Sequence, residues 1–258
     1  MDVALKFRFA YRAWRARLRD QRLEIALTRA LVQRGDFVVD AGANKGSYVY
    51  WLRDAVGDSG KVFAYEPQPV LAAYLRSATE TFRWPNVWVH EVALSNHTGS
   101  ATLHVPGHGA TPGASLESTV LDRTPGPGAT FECKVNTLDA EIGGNSPLRF
   151  LKVDVEGHEL AVFQGGERIL RRDRPHILFE CEERHLSKHT MGDVFSFLER
   201  LGYEGFVLLD DSTLPIARFD ARIHQARRGP EFWKQPGYHN NFLFVASGFP
   251  LGEVTRRL

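Results

Sequence analysis

The sequence predicts a doubly wound α/β domain. Three observations carry this. Short apolar runs alternate with stretches of helical period from about residue 37 onward. The first run opens VVDAGANKG, Val38 to Gly46, which leads straight into the helix-like YVYWLRDAV. An acid, Glu66, closes the second run about twenty residues further on, in KVFAYEP.

Taken in order, residues 1–20, MDVALKFRFAYRAWRARLRD, interleave Lys6, Arg8, Arg12, Arg15, Arg17 and Arg19 with aromatic and aliphatic side chains. That pattern is a basic amphipathic helix, which either packs its aromatics on the domain or lies on an anionic membrane or partner surface. RLEIALTRALVQRGD continues with helical spacing and stops at Gly35. The division expected is an N-terminal basic helical segment, 1–34, and one domain, 35–258. Within it, strands fall at about 37–41, 61–65, 87–94, 149–155 and 176–182, then in EGFVLLD and NFLFVA. Helices follow at about 47–56, from Pro69, in LAVFQGGERILRR and in DVFSFLERLGY. Seven strands make one mostly parallel sheet with helices on both faces. Residues 98–139 break the alternation: their flanks alternate like strands, while their centre is rich in Gly, Pro and Ser. A β-hairpin insertion serving as a lid over the substrate site is expected there, the alternative being an ordinary hairpin tip.

Composition narrows the class. A chain of 258 residues, 43% hydrophobic and 24% charged, can bury a substantial core, and a net charge of +1 gives no push toward nucleic acid. Cys133 and Cys181 lack the spacing of a disulfide framework or a zinc site. No run of about 18 apolar residues spans a membrane, and the N-terminus lacks a signal-peptide core. The expectation is a soluble cytoplasmic protein acting on a small molecule, with homo-oligomerisation left open.

The first strand, turn and helix form a nucleotide-type site, because backbone N–H groups converge where such a helix begins. Asp40 stands where a dinucleotide fingerprint needs its first glycine. A carboxylate there repels a pyrophosphate and suits a ligand with an ammonium group, such as S-adenosyl-L-methionine. Gly42 and Gly46 supply the tight turn, and Glu66 is placed to accept the ribose hydroxyls.

The second informative stretch is LKVDVEGHE, Leu151 to Glu159, at the end of the strand that in such sheets lies near the ligand crevice. Asp154 is the strongest candidate there. Glu156 fits a turn with Gly157, and Glu159 a helix start. His158 has the right chemistry for a general base, and equally suits a helix N-terminus facing solvent. Glu180 in the next strand comes beside Asp154 if the strands are neighbours. The pair could act as base and orienting partner, or hold a divalent cation. Glu182, Glu183 and His185 read as surface loop that could still reach the site; His90, Glu91, His104 and His108 stand isolated. His239, Asn240 and Asn241 precede the last strand and could line a pocket mouth, while the basic stretch 221–233 either binds an anionic substrate or is solvated loop.

Together these residues resemble the FkbM family of S-adenosylmethionine-dependent methyltransferases. The resemblance rests on VVDAGANKG, YEP at 65–67, VALS at 92–95 followed by Gly99, TLD at 137–139, LKVDVEGHE and the Gly165–Gly166 pair. It covers roughly residues 36–185. It implies a Rossmann-like class I methyltransferase fold and O-methylation of a hydroxyl on a sugar or natural product. By matching position it also implies a cofactor loop of Asp40, Gly42, Ala43, Asn44 and Gly46, ribose binding by Glu66, and an adenine pocket around Val92 to Ser95, including Ala93 and Leu94. The family more often carries alanine where His158 stands, which argues against a required base there. Two other readings remain: a nicotinamide-dinucleotide oxidoreductase, which Asp40 opposes, and a non-catalytic binding module on a methyltransferase fold.

Overall fold

The computed structural model describes residues 2–107, 113–123, 127–144, 146–229 and 231–256. Helix α1 (Val3–Arg15) runs through a short π-helical turn into α2 (Arg22–Leu31). Then come β1 (Phe37–Ala41), α3 (Ser47–Val56), β2 (Lys61–Tyr65), α4 (Pro69–Phe82) and β3 (Val87–His90). The insertion holds β4 (Ala93–Ser95), β5 (Gly99–Val105) and β6 (Ala129–Thr137), closed by α5 (Leu138–Glu141). The second half is β7 (Leu148–Val153), α6 (Glu159–Gln164), α7 (Glu167–Asp173), β8 (His176–Glu180), α8 (Met191–Arg200), β9 (Tyr203–Leu208), β10 (Thr213–Pro215), α9 (Ala221–His224), β11 (Asn241–Ala246) and α10 (Leu251–Thr255).

The main sheet has the order β10-β9-β11-β8-β7-β1-β2-β3. Strands β3, β2, β1, β7 and β8 are parallel neighbours, while β11 runs antiparallel between β8 and β9. The seven expected strands are thus present. An eighth, β10, pairs antiparallel with β9 at the edge; at three residues it is too short to show a period of two. Chain direction away from β1 switches between β7 and β2, so the crevice at their carboxyl ends is where a ligand fits.

Both faces of the sheet are covered. Phe37, Val39 and Ala41 point into one core with Val162, Phe163, Leu170 and Leu198 of α6 to α8. Val38 points into the other with Phe9, Ile25, Trp51, Leu52 and Leu75 of α1 to α4. Each fully buried large aliphatic or aromatic side chain contributes about 1.5–3 kcal/mol, so these two layers supply the main driving force. Helix α1 belongs to this packing through Leu5, Phe9 and Ala13.

The expected strand at 87–94 is two strands in two sheets. β3 ends at His90, and β4 pairs instead with β6, which pairs with the hairpin strand β5. Gly165 and Gly166 allow this: a Cβ on Gly165 would sit 1.9 Å from the Ser95 carbonyl oxygen, and one on Gly166 2.7 Å from Leu138. The glycine pair thus seats the small sheet on α6. The strand expected to end at residue 155 ends at Val153, leaving Asp154 just beyond it.

Candidate functional site

Two cavities meet at the carboxyl ends of β1, β2 and β7. One is lined by Glu66, Gln68, Val92, Ala93, Leu94, Ser115 and His158. The other, of about 880 Å³, is lined by Asp40, Tyr48, Lys152, Glu180, Glu182, Asn240, Asn241 and Trp233. Gly42, Asn44, Asp154 and Glu156 border both. The larger cavity also takes Ala43 from the loop.

The β1–α3 loop is braced internally. Gly42 and Ala43 both donate their N–H to the Tyr65 carbonyl, at 2.9 and 3.0 Å, and Gly46 donates to Ala43. These amides therefore do not converge on a ligand as the sequence suggests; they fix the loop, and recognition passes to side chains. Two glycines are required sterically. Gly42 has φ +80° and a Cβ there would lie 1.8 Å from the Asp154 carbonyl oxygen. Gly46 has φ +79° and lies against the Phe9 ring, which a Cβ would meet at 2.5 Å. The first contact joins loop to β7, the second to α1.

Glu66 is buried and preset. Its carboxylate accepts from the N–H of Asn44 at 2.8 Å and from that of Gln68 at 2.9 Å. Burial nevertheless raises its pKa to about 7. A carboxylate held by two amides, with its remaining lone pairs toward the cavity, suits a ribose diol. Asp40 is also buried; its Oδ2 has no hydrogen-bond partner among the described residues. Burial raises Asp40 to about 7, with the Lys152 ammonium pulling back and the Asp154 and Glu66 charges pushing up. An unsatisfied buried carboxylate oxygen beside the loop is what a ligand ammonium group would complete. The residues present thus fit S-adenosylmethionine at both its ends.

The larger cavity is built on one sheet face. Asp40 is in register with Lys152, and Glu180 with Asn241, so side chains from four strands project together. Lys152 is fully buried, with Nζ 5.0 Å over the Tyr48 ring. Glu180 accepts from Asn240 Nδ2 at 2.8 Å. Burial, then the charges of Asp154, Glu156 and Glu182, push it well above the ordinary carboxylate range. Glu182 behaves oppositely. Burial opposes its ionisation, but the Arg184 guanidinium, the His185 charge and the Tyr238 hydroxyl together hold it at about 2. Glu182 and His185, expected as surface loop, are buried because this network turns them inward. Glu156 sits in the turn with Gly157 as expected, at φ +56°, and faces His185 at 3.1 Å. Of His239, Asn240 and Asn241, the two asparagines line the larger cavity and His239 is not part of its lining.

His158 is engaged on both ring nitrogens. Nε2 lies 2.9 Å from Ser95 Oγ and Nδ1 2.9 Å from Glu117 Oε1, and Lys188 approaches the same Glu117 at 3.0 Å. It is therefore neither a solvent-facing cap nor an open base. It ties β4 to the segment 113–123, whose Ser115 bridges to His104 of β5. The hairpin expected as a lid thus contributes residues 113–116 to the Glu66 cavity. His108 and the rest of 108–112, with 124–126, lie outside the described residues.

No three His, Cys, Asp or Glu side chains among the described residues are arranged to hold a metal ion, so the divalent-cation alternative at Asp154 and Glu180 finds no support. No helix among them is long and apolar enough to cross a membrane. Sequence reasoning missed Lys152, Tyr48, Arg184 and Trp233, together with Arg12 and Arg15 of α1, all of which line the larger cavity. One signal was available: Lys152 stands within the apolar run Phe150–Val153, where a lysine is expected only with a partner.

The sequence matches the family model described as the methyltransferase FkbM domain over residues 40–204. No curated protein matches it. The crystal structure of methyltransferase FkbM from Methylobacillus flagellatus KT is similar with a TM-score of 0.52 at 16% identity, over 81% of this chain and 43% of that one. This chain therefore spans less than half the length of that relative. A SAM-dependent methyltransferase from Aquifex aeolicus gives 0.48 and 16% identity, over 90% of this chain and 91% of that one. The architecture is the Rossmann-like class I methyltransferase fold.

Proposed function

The chain belongs to the FkbM methyltransferase family, and from that premise we propose that it moves a methyl group from S-adenosylmethionine to a hydroxyl of a sugar or similar small molecule. The observation that carries the reading is the pair of joined cavities, one suited to an adenosine and the other rich in hydrogen-bonding groups, with Asp154 at their junction. Carboxylates, the amides of Asn240 and Asn241 and the Trp233 indole offer acceptors, donors and an apolar face together. That combination suits a polyhydroxylated ring.

When bound, the cofactor supplies a methyl group on a sulfonium, already activated for displacement. The chain has to align the acceptor oxygen and exclude water. Asp40 would hold the cofactor's ammonium, Glu66 its ribose, and Val92, Ala93 and Leu94 its adenine, with Gly42, Ala43, Asn44 and Gly46 shaping the loop. Asp154 orients the acceptor hydroxyl and takes its proton as the oxygen attacks. Glu180, raised by burial and by the charges of Asp154, Glu156 and Glu182, is the orienting partner on the acceptor side of the junction. His158 is a positioning residue, holding the small sheet against the cofactor cavity through Ser95 and Glu117.

A thermal-shift titration tests this. Stabilisation by S-adenosylhomocysteine that Glu66→Ala removes, followed by methyl incorporation into members of a sugar panel, is expected. Stabilisation by NADH instead would restore the oxidoreductase reading, and none by either ligand would leave the binding module.

A further inference from the structure

We propose that α1 docks this protein on a membrane surface rich in anionic headgroups. The helix is amphipathic twice over. At 3.6 residues per turn, Leu5, Phe9 and Ala13 lie on one side and are buried against α3 and α4. Directly opposite, Val3, Phe7, Tyr11 and Trp14, continued by Leu18 in the π-helical turn, form a second apolar stripe that is 43% to 73% exposed. A surface helix normally solvates polar groups on that side.

Charge decides what covers the stripe. Arg8, Arg12, Arg15 and Arg19 lie along one edge of it and Lys6 and Arg17 along the other; the acids of residues 1–20 are Asp2 and Asp20 alone. An apolar strip with aromatic side chains, bordered on both sides by arginine and lysine, matches a bilayer interface, where rings reach the acyl boundary and cations meet phosphate. A second copy of the chain fits worse. Because both borders are basic, any pairing through this stripe sets like charges against each other. The placement matters as well. Arg12 and Arg15 also line the larger cavity, and Phe9 of the buried side touches Gly46 of the β1–α3 loop. Docking through α1 therefore sets the cavity beside the lipid surface.

Cosedimentation with vesicles tests the proposal, using phosphatidylcholine alone and phosphatidylcholine mixed with phosphatidylglycerol. The full chain is expected to pellet with the mixed vesicles and to be released by salt. Phe7→Ser with Leu18→Ser should weaken this at least about tenfold, and Arg8→Gln about fivefold. These side chains are exposed, so stabilisation by S-adenosylhomocysteine should be the same in the variants and confirms that they fold. Equal binding to both vesicle types, no binding to either, or variants that bind like the wild type would overturn the proposal. So would sedimentation-velocity evidence of a dimer that Phe7→Ser abolishes, which would assign the stripe to a second copy. Retention of the full chain on an acidic polypeptide but not on vesicles would assign it to a protein partner.

Discussion

Lowering the pH should weaken S-adenosylhomocysteine binding far more steeply than an ordinary pair of carboxylates allows. Asp40 and Glu66 in the free protein are both raised to about 7, chiefly by burial. A ligand ammonium group beside Asp40, and ribose hydroxyls donating to Glu66, favour the ionised form of each. The ligand's ammonium stays charged throughout this range, so binding releases protons from the protein alone. Between about pH 8 and about pH 6, each acid that must ionise costs a factor of about 10, and the two together about 100, or ~2.7 kcal/mol. Isothermal titration calorimetry over this range, in buffers of different ionisation enthalpy, measures both affinity and proton release. Asp40→Asn removes one of the two protons, leaving about a tenfold dependence. An affinity that stays flat from about pH 8 to about pH 6, or proton uptake on binding, would refute the assignment of these acids to the cofactor.

Three other outcomes follow from the same geometry. Asp154→Asn should lower methyl-transfer turnover on the order of 100-fold or more, with S-adenosylhomocysteine affinity changed little; single-turnover kinetics beside calorimetry separates the two. His158→Ala removes the link between Ser95 Oγ and Glu117 Oε1, leaving Glu117 to Lys188 alone, so it should cost about 1–3 kcal/mol of stability and raise the KM for cofactor, with kcat changed less. A collapse of kcat alone would make His158 a base after all. Asp40, Glu66 and Glu159 are each raised to about 7, so the folded state holds more protons than the unfolded one. Ligand-free stability therefore falls as pH rises from about 4.5 to about 7. It also falls as pH drops below about 4.5, as Glu117 and Glu182, both lowered to about 2, take up protons. Thermal midpoints across this range should peak near the boundary between the two.

The centre of the main sheet is legible in the sequence because its strands are buried on both faces and carry apolar runs, as in Phe37–Val39 and Phe242–Ala246. The Asp40 to Glu66 half of the site is legible for a related reason: one strand, one turn and the next strand carry it, so spacing along the chain stands in for distance. The split of residues 87–95 was not legible. VWVHEVAL is apolar on both sides of His90 and Glu91 and reads as one strand, and the contact of Ser95 with Gly165, seventy residues on, accompanies the passage of β4 into another sheet. The larger cavity was illegible by the same logic. Arg12, Lys152, Glu182, Arg184 and Trp233 come from segments that meet only when the sheet closes, and all but Lys152 read alone as ordinary surface residues.

The acids that sequence reasoning found one at a time share a single problem once the sheet assembles. Asp40, Asp154, Glu156 and Glu180 converge around one buried cation, Lys152. A carboxylate out of water needs a charge or hydrogen bonds to stay ionised; Glu156 has His185 at 3.1 Å and Glu180 the Asn240 amide, whereas Asp40 Oδ2 has no hydrogen-bond partner among the described residues. Burial and the neighbouring acids raise Glu180 well above the ordinary carboxylate range, and burial raises Asp40 to about 7. Such an arrangement adds nothing to folding that apolar side chains of the same shape would not add more cheaply. On the proposed reading, a cationic ligand would supply positive charge to Asp40, whose Oδ2 has no hydrogen-bond partner among the described residues. That is the physical argument for reading these acids as a binding site, independent of the family to which the chain belongs.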